Sequence, residues 1–204
     1  MNPTVDTLRA TFGTAIGRSS VARDGVSTLD VAAAQALQVF EFLRSSEHYD
    51  YLVDLTAVEY RDPERPLEVV YLLRSLQGGA ELRVKLLLDV REELAVDSVV
   101  AVWAGANWLE REVFDMFGVQ FRGHPDLRRI LMWETYAEGY PLRKDFPLRG
   151  RFSRAEQVRQ ALAGHPEAHY SMEELSFAEA HHDLPADMRE RLRRGERGTI
   201  PHSE

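Results

Sequence analysis

Leu67–Leu88, LEVVYLLRSLQGGAELRVKLLL, decides the fold. Leu67, Val69, Tyr71 and Leu73 alternate with polar or secondary apolar positions, the two-residue period of a strand that buries one face. Leu82, Val84, Leu86 and Leu88 repeat the pattern, with Arg83 and Lys85 facing outward. Between them, Gln77-Gly78-Gly79-Ala80 is predicted as a turn, because glycine accepts positive φ without a Cβ penalty. The segment therefore reads as a hairpin with one apolar face to cover.

The flanking sequence supplies the cover. Upstream, Tyr49–Tyr60 reads as a strand with Tyr51, Val53, Leu55 and Ala57 on one face, joined to the hairpin by the polar, proline-marked loop Arg61–Pro66. Ala32–Arg44 has high helix propensity and an apolar side of Leu37, Phe40, Phe42 and Leu43. Gly25–Val31 is predicted as a short strand, and Val5–Ile16 as a weak helix with Val5, Leu8 and Phe12 aligned. Downstream, Val99, Val102, Ala106, Leu109, Val113 and Phe117 recur at three- and four-residue spacing, a stripe suited to lie on the sheet. Asp97 is the expected N-cap, Gly105 a break, and Gly118 the left-handed residue after the last turn. The expected fold class is α+β: a two-layer domain, residues 1–121, of a mixed or antiparallel sheet packed with helices. An extended charged arm, 122–151, and a polar tail, 152–204, ordered on a partner, complete the chain.

Composition narrows the chemistry. The 204 residues suffice for one domain with a real core plus extensions. Apolar content of 44% and charged content of 28% are ordinary for a globular protein. The net charge of −8 does not favour bulk attraction to nucleic acid or anionic membranes. There is no cysteine, which excludes disulfides, thiolate nucleophiles and cysteine-ligated iron–sulfur clusters. The N-terminal residues do not read as a signal peptide, and no apolar run is long enough for a transmembrane helix. Any membrane association is expected to run through a partner.

The densest charge lies in Glu110–Asp145. Glu110, Arg111, Glu112 and Asp115 are interleaved with apolar residues on the predicted helix, and spacing alone suggests a solvated face. Pro125, Pro141 and Pro147 forbid a long helix beyond it, so the arm reads as extended, burying little against its own domain. From Arg122 to Arg151 it carries seven basic residues against four acidic ones. Arginine and aromatic residues are enriched at protein–protein interfaces. No GxGxxG, GxxxxGK[ST] or GxSxG motif occurs, so nucleotide binding and serine hydrolysis have no support. His165-Pro166-Glu167-Ala168-His169 is not a zinc-protease motif, since Pro166 stands where its glutamate belongs, and the adjacent side chains of His181-His182-Asp183 point apart.

Glu110-Arg111-Glu112, Asp115-Met116-Phe117-Gly118 and His124-Pro125-Asp126-Leu127-Arg128-Arg129-Ile130-Leu131, followed by Gly139-Tyr140-Pro141-Leu142-Arg143-Lys144-Asp145-Phe146-Pro147-Leu148, carry a resemblance. The chain resembles the 30-kDa subunit (the C subunit in bacteria) of respiratory complex I, the proton-pumping NADH–quinone oxidoreductase. The two stretches cover about a fifth of the chain. The resemblance implies a structural subunit of the hydrophilic arm with no catalytic residue, cofactor or metal of its own; FMN, iron–sulfur clusters and quinone belong to partner subunits. It implies packing on the 49-kDa (D) subunit near the terminal-cluster (B) subunit. It also implies a peripheral location on the cytoplasmic face of the bacterial cell membrane, reached only through the complex. The expected interface residues are Glu110, Arg111, Glu112, Asp115, His124, Asp126, Arg128, Arg129, Arg143, Lys144 and Asp145. Within the resemblance, the equivalent subunit of a membrane-bound hydrogenase or of an oxidoreductase fed by another donor is the alternative.

Two readings from other classes have their own discriminators. A free-standing enzyme would gather Glu110, Glu112 and His124 into one pocket with shifted pKa values. A nucleic-acid module would use the arm and Arg189–Arg197, and would bind oligonucleotides in a salt-dependent way.

Overall fold

A computed structural model describes residues 2–60, 67–91, 93–148 and 159–160. The predicted hairpin is there: β4 (Leu67–Arg74) pairs antiparallel with β5 (Glu81–Leu88), Leu67 opposite Leu88 and Leu73 opposite Leu82. In the turn between them, Ser75 N–H donates to Ala80 O, and Gly79 takes φ +66°. β3 (Tyr51–Glu59) pairs antiparallel with β4 along its other edge. The register shifts between Leu52 and Asp54, and this corrects the expected β3 face: Leu52, Leu55 and Ala57 are buried, whereas Tyr51 is half exposed. A bulge adds one residue and moves the residues before it to the opposite face.

Two strands close the sheet, in the order β1-β2-β5-β4-β3. β2 (Ser27–Val31) lies parallel to β5, and β1 (Ile16–Val21) runs antiparallel to β2 at the edge. β1 escaped the sequence pattern because Ile16 is its one buried residue; the remainder, Gly17-Arg18-Ser19-Ser20-Val21, is edge and solvent. The sheet is thus mixed, as expected.

Helices cover one face. In α1 (Pro3–Phe12), Asn2 caps the first turn by accepting from Thr4 N–H and donates to the Tyr49 hydroxyl. α2 (Ala36–Ser45) buries Val39, Phe40 and Leu43; the Phe40 ring lies 4.5 Å from Tyr71 and 5.8 Å from Trp103. α3 (Ala106–Phe117) adds Val113, Met116 and Phe117 to the same core. On the other face, Lys85 meets the buried Glu68 carboxylate at 2.7 Å.

Asp97 is not an N-cap. It sits in β6 (Ala95–Asp97), which pairs parallel with β7 (Gln120–Arg122), and its carboxylate accepts from Arg122 Nε at 2.9 Å. The β6–α3–β7 unit fixes both ends of the helix. The anticipated short helix through Val99 and Val102 is a turn instead, in which Val102 N–H and Trp103 N–H both donate to Val99 O. The apolar stripe survives this change, because Val99, Val102, Ala106, Val113 and Phe117 are all buried.

Residues 1–151 form one compact unit, so the described part of the arm belongs with the sheet and helices. The predicted loop 61–66, arm residues 149–151, and the tail with its histidine clusters and Arg189–Arg197 lie outside the described residues, apart from Arg159 and Gln160. Among the described residues, no helix is long and apolar enough to cross a membrane.

Candidate functional site

α3 builds the site with two buried carboxylates. Glu110 follows Ala106 by four residues and precedes Val113 by three, which places it in the apolar stripe. It is fully buried, not part of a solvated face. One oxygen accepts from Val99 N–H and the other from the Ser98 hydroxyl, each at 2.7 Å. The carboxylate thereby caps the turn that leads into its own helix. Desolvation pushes its pKa from an ordinary 4.5 up to about 7, against the two hydrogen bonds, which favour the charge.

Asp115, also fully buried, holds the arm. Its Oδ2 accepts three consecutive backbone N–H groups, from Ile130 at 3.0 Å and from Leu131 and Met132 at 2.8 Å. Its Oδ1 accepts from Arg129 Nη1 at 2.6 Å. Arg129 Nη2 reaches on to Gly139 O at 3.1 Å, and the guanidinium lies over the Tyr136 and Tyr140 rings at 5.1 and 5.4 Å. Arg111 donates to the carbonyls of Arg128 and Arg129. Two turns of one helix therefore bind both polarities of the arm's backbone, carbonyls at Arg111 and amides at Asp115.

The distal arm is tied as well. Leu142 N–H donates to Met116 O. Glu59, at the end of β3, accepts from Lys144 N–H at 2.6 Å and faces Arg143 Nε at 3.5 Å. The Tyr140 ring lies against Gly118, where φ is +80° and a Cβ would overlap the ring. The expectation that the arm buries little against its own domain is therefore corrected. The prolines do prevent a helix, but an irregular chain can still satisfy its backbone when buried side chains supply the partners.

The predicted interface residues separate into two groups. Glu110 and Asp115 are sealed inside, and Arg111, Arg129 and Arg143 are half-buried in contacts with their own chain. His124 accepts Asp126 N–H at Nδ1 and meets Asn107 O through Nε2. Glu112, Asp126, Arg128, Lys144 and Asp145 are exposed, with Asp126 and Arg128 paired at 2.8 Å. Glu110, Glu112 and His124 have separate surroundings and do not make the constellation an enzyme would need. Among the described residues, no group of three or more His, Asp or Glu side chains could hold a metal ion.

The exposed apolar residues escaped the sequence analysis. Trp108 is 66% exposed and Leu131 60%, with Ile130 and Leu142 also open. Trp108 lies seven residues before Asp115 on α3, hence on the face the arm crosses, one turn from Arg111. A signal for Glu110 was present, since its spacing from Ala106 and Val113 is core spacing. None existed for Glu59 or Tyr140, whose partners are distant in sequence.

Comparison with known proteins adds a further finding. Residues 29–152 match the family described as respiratory-chain NADH dehydrogenase, 30 Kd subunit. The C subunit of the NADH-quinone oxidoreductase of Geobacter sulfurreducens is 45% identical over 127 residues, covering 62% of this chain and 77% of that protein. Its counterpart in Moorella thermoacetica is 48% identical over 128 residues, covering 62% and 84%. Among solved structures, the trypsin-resistant fragment (1-134) of Nqo5 aligns with a TM-score of 0.54 and 26% identity, over 61% of this chain and 97% of the fragment.

Proposed function

The chain belongs to the 30 kDa subunit family of respiratory-chain NADH dehydrogenase, and from that premise we propose that it is a cofactor-free scaffold that joins the quinone module to the rest of the hydrophilic arm. It is a subunit of the NADH-quinone oxidoreductase complex, and the other subunits of that complex are its partners. In this reading it packs on the 49-kDa (D) subunit near the terminal-cluster (B) subunit. FMN, iron–sulfur clusters and quinone reside in partner subunits. The chain sits at the cytoplasmic face of the cell membrane without entering it, and none of its own residues is catalytic.

The observation that carries the reading is the apolar surface held by α3 and the arm. Trp108 stands exposed on α3, and Ile130, Leu131 and Leu142 stand exposed on an arm whose backbone is pinned from beneath by Asp115, Arg111 and Met116. Loop residues in water have no need of such anchoring. Exposed apolar residues on a fixed backbone, with exposed Glu112, Arg128 and Lys144 on the same helix and arm, have the make-up of a protein–protein contact. Leu131→Asp combined with Lys144→Glu tests it. The amount of assembled complex on a native gel should fall several-fold, while the purified chain keeps its melting temperature. An unchanged yield would refute the docking surface.

A further inference from the structure

We infer that Glu138 is one half of an ion pair completed by a basic side chain, an arginine by preference, from a neighbouring subunit. This inference rests on the docking reading above. Glu138 is only 8% exposed, and neither carboxylate oxygen has a hydrogen-bond partner. Trp133 Nε1, on the same loop, is likewise buried and without an acceptor. Burying a carboxylate without a donor is strongly unfavourable, so such a group in a native fold calls for a partner.

Among the described residues, the two half-buried arginines of the arm are engaged elsewhere. Arg129 is taken up by Asp115 and by Gly139 O, the carbonyl next along the chain from Glu138. Arg143 faces Glu59 and donates to Phe117 O. What the loop still lacks is a cation at Glu138 and an acceptor at Trp133. A partner segment presenting a guanidinium beside a backbone carbonyl supplies both, and arginine can fork onto a carboxylate through two donors.

The setting admits such a segment. Glu138 lies just under the surface, with Glu134, Thr135 and Ala137 exposed around it and no regular secondary structure to disrupt. The loop's ends are fixed, Arg129 to Asp115 on one side and Leu142 to Met116 on the other. A small displacement between two fixed points opens the carboxylate without undoing the domain.

Glu138→Gln tests the inference through two effects that a pairing within the chain could not produce together. In the purified chain the neutral isostere should melt at the same or a higher temperature, because an uncompensated buried charge has been removed. In cells, the same substitution should lower the amount of assembled NADH-quinone oxidoreductase on a native gel by about tenfold, as expected when one member of a buried charge pair is lost. Glu138→Asp, which keeps the charge, should restore part of that amount. A lowered melting temperature for Glu138→Gln would show that the carboxylate is paired within its own chain and would overturn the inference. So would an undiminished amount of complex. If the Leu131→Asp, Lys144→Glu variant also assembles normally, the docking reading itself fails; if only Glu138→Gln does, the fault lies with the ion pair.

Discussion

At the scale of single residues, two carboxylates on one helix have different consequences. Glu110 makes stability depend on pH. Its folded pKa of about 7 stands above the ordinary 4.5, so the folded state binds more protons than the unfolded state between those values. The stabilisation from the protonated form is therefore fully present below about pH 4.5 and is lost as pH rises through 7, at no more than about 1.4 kcal/mol per pH unit. Chemical denaturation from pH 4.5 to 8 should show this slope, and Glu110→Gln, which can still accept from Val99 N–H, should flatten it. Asp115 has the larger mechanical role. Asp115→Ala would strip three amides of their acceptor and take from Arg129 its carboxylate partner, for a loss of about 3–5 kcal/mol. The melting temperature should fall, and trypsin should cut faster at Arg128, Arg129, Arg143 and Lys144. Unaltered cleavage would show that the arm is held by other contacts.

At the scale of elements, Gly118 is the joint between α3 and the arm. It ends the helix in the left-handed conformation, with its N–H donating to Phe114 O, and it leaves room for the Tyr140 ring. Gly118→Ala incurs both penalties. The left-handed backbone alone costs about 1–2 kcal/mol, and the methyl group displaces the ring. Tyr140→Ala would remove the overlap but not the backbone strain. The double variant should therefore be more stable than the sum of the two single changes predicts, which thermal melts can establish. Additive losses would show that ring and helix end do not touch in solution. The β6–α3–β7 unit explains why this joint is firm, since the strand after Gly118 returns at once to pair beside the strand that precedes the helix.

At the scale of the whole molecule, the question is whether the charged surface performs chemistry or only contact. Glu112 is exposed on α3. Glu112→Gln should leave NADH–quinone activity per assembled complex unchanged. A drop of about 10²–10⁴-fold after that normalisation is what the loss of a positioned acid or base produces, and it would end the scaffold reading for α3.

Sequence by itself determined the two-layer α+β architecture, the β4–β5 hairpin, the buried stripe of α3 and the family. Each depends on periodicity or on residues adjacent in the chain, which burial on one face imposes directly. Glu110 runs against this: its place among charged neighbours suggests a solvated face, and only the folded chain seals it in the core beside Ser98 and Val99. The tertiary structure alone decided what the charges do. Asp115 meets amides fifteen to seventeen residues away, Glu59 meets Lys144 across 85 residues, and Tyr140 fills the space a side chain at Gly118 would occupy. The strength of a charge depends on the partners and solvent that folding places around it. The same Glu and Asp that would be solvated on an isolated helix become, in the folded chain, the buried acceptors that fix the arm.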